Sequence, residues 1–130
     1  MTNLSERSLK NLENVDERLV RLVHMANQIV PCAVICGYRS QEDQDKAYHS
    51  GHSKLKFPQS SHNSSPSRAV DLCPTPIDWK ARERFILFAG VVMGLAASMG
   101  IAIRWGGDWN KNWDIRDETF QDLVHFELTK

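Results

Sequence analysis

The chain has 130 residues, 42% of them apolar, and its 16 Lys+Arg are balanced by 16 Asp+Glu, so it carries no net charge. That length suits one domain spanning 1–130, and the missing basic surplus argues against a nucleic-acid binder, which neutralises phosphates with many cations. Balanced charge and apolar residues throughout exclude disorder, and an odd count of three cysteines excludes a closed disulfide framework.

Residues 1–11 lack the apolar run of a secretory leader, so none is expected. Leu12, Val15, Leu19, Leu22, Val23 and Ala26 recur three or four apart, which predicts an amphipathic first helix ended by Pro31. The run CAVIC (32–36) reads as a buried strand before Gly37, with its cysteines and Cys73 as small core residues of a reduced chain. Ser40-Gln41-Glu42-Asp43 has the form of a capping box and opens a second helix that ends near Gly51. Residues 51–68 are polar, with Pro58 and Pro66, and form a loop long enough to suggest function. AVDLC (69–73) is a strand stopped by Pro74.

Residues 85–103 carry no charge, and length alone suits a membrane span. Glycines interrupt the run, and Gly100 precedes the β-type sequence IAIRW. The simpler reading is a buried helix from about Trp79 to Met99, with Pro76 as its turn and Asp78 as its N-cap, followed by a strand. A Gly106-Gly107 turn, a loop rich in Trp and Asp, and a strand over about 123–128 complete an α+β domain with a small sheet.

Two of the five histidines stand out. His62 lies in the long loop just ahead of the strand that carries Asp71, and His125 lies inside the final strand, a poor place for an unpaired imidazole. Two His and one carboxylate are the composition of an open catalytic zinc site. On spacing alone a plainer account also stands, with His62 solvated and His125 paired to a core acid. Asp122 lies three residues before His125, an odd offset that puts the two on opposite faces of a regular strand. At a bend it would instead turn toward the site as a general base. Arg39, at a strand-to-helix turn, suits an oxyanion or carboxylate. Asp108 is a candidate to orient a ligand histidine by a hydrogen bond. Trp105, Trp109 and Trp113 either wall a groove or pack, while His24 is expected to be structural in the first helix and His49 and His52 to be exposed and without a role. Glu127 shares a face with His125 only if the strand is regular there, and the sequence leaves that open.

Four blocks occur in one order: GYRSQEDQ (37–44), SSHNSSPSRAVDL (60–72), IRWGGDW (103–109) and DLVHFEL (122–128). Together they resemble the zinc D-Ala-D-Ala carboxypeptidase/L-alanyl-D-glutamate peptidase family, particularly its small phage endolysins. The resemblance implies a Hedgehog/D-Ala-D-Ala-peptidase-like fold, a small antiparallel sheet packed with about three helices. It implies Zn²⁺ on His62, Asp71 and His125, with Asp122 as base and Arg39 as substrate-binding or transition-state cation. Ser40, Gln44 and Ser60 follow as substrate contacts.

Two features depart from the common family pattern: the His62-to-Asp71 interval is longer and lacks a Gly, and the final acid is Asp rather than Glu. Both resemble the phage endopeptidase branch. The implied function is hydrolysis of peptidoglycan stem peptides at L-Ala–D-Glu by a monomer that binds neither nucleic acid nor membrane. Such an enzyme waits in the host cytoplasm and acts on the cell wall after release. The alternatives are a D-Ala-D-Ala carboxypeptidase on the same fold and a non-catalytic wall-binding or virion module.

Overall fold

Strands β1 (Cys32–Cys36), β2 (Ala69–Pro74), β3 (Ile103–Trp105) and β4 (His125–Leu128) form one antiparallel sheet in the order β1-β2-β4-β3. This is the computed structural model of the chain, and it describes residues 3–130. Side chains alternate across a strand, so the sheet has two distinct faces. Val34, Val70, Leu72, Ile103, Trp105, Phe126 and Leu128 point to one face and join the hydrophobic core. Asp71, Arg104, His125 and Glu127 are the intervening residues, and they form the other face.

Among the described residues four α-helices accompany the sheet: α1 (Glu6–Asn11), α2 (Glu17–Ile29), α3 (Gln41–His49) and α4 (Arg82–Ser98). The periodic stretch from Leu12 to Ala26, expected as one helix, is a turn over 12–16 followed by α2, and α1 lies wholly ahead of it. Ser5 caps α1 through Ser8 N, Asn14 takes the left-handed conformation (φ 56°), and Asp16 caps α2 through Arg18 N. Asn tolerates that conformation better than most residues, so the break costs little. Leu12 and Val15 stay in the core on either side of it, which is why the apolar spacing runs across unbroken.

Helix α2 buries Leu19, Leu22, Val23 and Ala26, and it packs on α4, which buries Phe85, Phe88, Ala89, Val92 and Ala96. Each fully buried Leu, Val or Phe contributes roughly 1.5–3 kcal/mol. Leu87 on α4 remains 74% exposed, and among the described residues no helix is long and apolar enough to cross a membrane. Helix α4 begins later than expected. Asp78 accepts from Lys80 N rather than capping it, while Trp79 turns back to stack on Phe85 at 5.8 Å.

Side chains cover the outer edge of β1. Asn27 Oδ1 accepts from Cys32 N, Ser8 Oγ accepts from Val34 N, and Asn11 Nδ2 donates to Val34 O. These contacts satisfy backbone groups that would otherwise template pairing with another chain. They also draw α1 so close that a Cβ at Gly37 would run into the Asn11 carbonyl, which only glycine avoids. Cys32 and Cys73 are buried thiols as expected, and burial pushes Cys32 up to about 12.

Candidate active site

The pairing of β2 with β4 sets Asp71 directly opposite His125. His62 arrives from the long loop, in a single 3₁₀ turn over Ser61–Asn63. Ser60 caps that turn by accepting from His62 N, and Asn63 Oδ1 accepts in return from Ser60 N. This reciprocal pair is the capping box of the chain. At Ser40 only the forward half forms, with Ser40 Oγ accepting from Asp43 N.

Both imidazoles meet one carboxylate oxygen. His62 Nε2 lies 3.2 Å from Asp71 Oδ1, and His125 Nδ1 lies 3.3 Å from the same atom. The far nitrogen of each ring is held separately. His62 Nδ1 donates to Gly37 O at 2.7 Å, and His125 Nε2 donates to Glu127 Oε1 at 2.7 Å. Each inward nitrogen therefore has its lone pair free when the ring is neutral, the arrangement that a metal ligand requires. Two imidazoles and a carboxylate with fixed outer partners fit a borderline divalent ion.

Asp122 is half-buried and lines the same cleft. It precedes β4, and His125 N donates to its carbonyl across a tight turn, so the strand alternation does not apply to it. Its carboxylate, that of Asp71 and a His125 nitrogen lie within 4.8 Å of one another. Gly106, just after β3, lies against this turn, since a Cβ there would strike the Asp122 backbone.

The electrostatics follow from burial and pairing. Burial disfavours the charged His62 ring, but the Asp71 carboxylate outweighs it and raises His62 to about 10. His125 also rises, its burial overcome by hydrogen bonds to Asp71 and Glu127. The two imidazoles hold buried Asp71 well below the ordinary carboxylate range. Glu127 sits at about 2, burial being offset by His125 and Arg104. Asp122 moves the other way, raised by burial and by the neighbouring Asp71 charge.

Other expected residues fall differently. Arg39 lines the cleft, its Nη2 3.9 Å from Asp71 Oδ2 and its Nη1 donating to Gln44 Oε1. Gln44 itself is fully buried, so it touches no substrate. It accepts from Arg39 and Asn63 and donates to Ser53 Oγ and Leu55 O, tying α3 to the long loop. Ser40 is occupied in capping α3, whereas Ser60 borders the cleft. Asp108 touches neither histidine. Its Oδ2 accepts from Trp113 N, and Glu127 takes the orienting part expected of it.

Trp109 walls the cleft against His125 at 5.6 Å, Trp105 packs in the core and Trp113 is 72% exposed. His24 and His49 are exposed, and His52 lies at the cleft rim.

Cys36 departs from its core expectation. A β-bulge between Val34 and Cys36 sets Cys36, rather than Ile35, opposite Asp71, which turns its thiol to the site face. Its Sγ lies 3.8 Å from His62 Nδ1 and 3.5 Å from Arg39 Nη2. Nothing in the sequence marked the bulge. Glu127 was signalled only by its spacing of two from His125.

The family model described as phage L-alanyl-D-glutamate peptidase matches residues 1–129, and the chain belongs to that family. It is 28% identical to an L-alanyl-D-glutamate peptidase of Escherichia phage T5, over 95% of both chains. Among solved structures it is similar to the L-Ala D-Glu endopeptidase ChiX of Serratia marcescens. The TM-score is 0.77 at 30% identity, covering 98% of this chain and 90% of that one.

Proposed function

We propose that the chain is a zinc-dependent endopeptidase that cleaves the L-Ala–D-Glu bond of peptidoglycan stem peptides, acting as a monomeric lysis enzyme. The observation that carries the reading is the convergence of His62 Nε2 and His125 Nδ1 on Asp71 Oδ1, each ring fixed from behind by Gly37 O or Glu127. The names of the T5 and Serratia relatives favour this bond over a terminal D-Ala–D-Ala bond.

His62, Asp71 and His125 would hold the zinc, which supplies a Lewis acid and a water nucleophile at neutral pH. Asp122 accepts the proton of the attacking water and returns it to the departing D-Glu nitrogen. Its raised proton affinity suits both transfers. Arg39, held by Gln44, donates to the oxygen that gains charge as the carbonyl becomes tetrahedral. Ser60 and Trp109 border the cleft of about 670 Å³ that receives the peptide.

The test combines zinc analysis with mass spectrometry of digested sacculi. New amino-terminal D-Glu and loss of lysis on chelation are expected. Release of terminal D-Ala would point to a carboxypeptidase. Retention of zinc and turnover by His125→Ala would overturn the ligand assignment. In a host cell the enzyme would act on the wall only after release from the cytoplasm.

A further inference from the structure

Among the described residues three Lys or Arg side chains line the cleft, and two of them are already engaged. Arg104 gives its Nη2 to Glu127 at 2.6 Å, and Arg39 faces Asp71 and Gln44. Lys54, on the long loop, is the third. Among the described residues its ammonium makes no ion pair, and it rests 4.5 Å from the centre of the Phe120 ring. Phe120 stacks on Trp109 at 6.2 Å, and Trp109 leans on His125. A continuous aromatic wall therefore leads from a proposed metal ligand to an uncommitted ammonium at the cleft mouth.

The substrate carries the matching charge. In a stem peptide D-Glu continues through its γ-carboxyl, so its α-carboxylate is free on the carbon bonded to the scissile nitrogen. Asp122 and Glu127 line the same cleft and would repel that carboxylate, and a desolvated anion without a partner is costly. A lysine on a mobile four-carbon stem, with three donors, can leave a ring face to meet it.

We propose that Lys54 reads the free α-carboxylate of D-Glu and makes the enzyme prefer stem peptides that bear it over those amidated to D-isoglutamine. The inference rests on the L-Ala–D-Glu specificity proposed above. Arg39 remains with the carbonyl oxygen, and Lys54 governs the residue on the other side of the scissile bond.

The experiment measures kcat/KM of the zinc-loaded full chain on two soluble stem peptides that differ only in α-carboxylate or α-carboxamide at the second residue. The wild type should favour the carboxylate by about tenfold, the scale of one hydrogen bond to a charged group. Lys54→Met should bring that ratio close to one, chiefly through KM, and Lys54→Arg should restore it. An equal loss on both peptides would mean that Lys54 only braces Phe120, and it would overturn the proposal. So would a wild type that does not discriminate. If the wild type cuts neither peptide at L-Ala, the parent reading falls with it. If it cuts the carboxylate form and Lys54→Met keeps the ratio, only the Lys54 inference falls.

Discussion

Glu127 and His125 stand two apart on the same face of β4, and Glu127 Oε1 accepts the His125 Nε2 proton at 2.7 Å. Arg104 on the neighbouring strand holds the other Glu127 oxygen at 2.6 Å, and Ser61 Oγ donates to the first. Through this chain β3, β4 and the long loop all set the orientation of one ring.

Glu127→Gln should therefore weaken zinc binding by about 10- to 100-fold, the usual effect of removing the outer partner of a ligand histidine. Competition with a chromophoric chelator measures it, with circular dichroism as the check on folding. Unchanged affinity would show that Glu127 does not orient the ring.

Zinc uptake near pH 7 should release more than one proton, since His62, raised to about 10, and His125, also raised, must both be neutral to bind. Calorimetry in buffers of different ionisation enthalpy counts them. The same shift bears on the metal-free chain. A raised folded-state value means that His62 contributes stability fully below its ordinary 6.5 and loses that contribution as pH climbs through about 10. Denaturation midpoints of the stripped protein should fall across that window, and those of the zinc form should fall less.

Asp122→Asn should lower kcat by about 10²- to 10⁴-fold, the usual worth of a positioned base, while leaving zinc in place. The raised Asp122 carboxyl costs the metal-free fold stability at any pH above its folded value, and nothing below its unfolded one. The variant should thus melt higher than wild type at neutral pH when both are stripped of metal, and the gap should close in acid. A variant less stable at neutral pH would contradict this assignment of strain.

Gln44→Leu should cost about 1–3 kcal/mol, because it leaves the buried amide of Asn63 and one Arg39 nitrogen without their shared acceptor. Thermal melting reads the stability. Activity should fall further than zinc affinity, because Arg39 loses its anchor while His62, Asp71 and His125 keep theirs. A parallel loss of both would mean that Gln44 supports the fold alone.

Much of this could be read along the chain. The strands at Cys32–Cys36 and Ala69–Pro74, helix α3 behind Ser40, and the core helix ahead of Gly100 all follow local rules of alternation, capping and glycine. What escaped was decided by competition between neighbours. Residues 12–16 turn instead of opening the expected first helix, Asp16 caps α2 only after them, and α4 starts past its apparent cap at Asp78.

The sequence by itself determined the residue types and their order: two histidines, Asp71 and Asp122, in four blocks whose pattern marks the family. Only the tertiary structure decided which atoms meet. Strand alternation is a local property, so it told which residues share a face. Register and bulges are set by pairing between strands far apart in the chain, and they alone place Asp71 against His125 and turn Cys36 toward His62. Local alternation on β4 then seats Glu127 behind His125, in the part expected of Asp108.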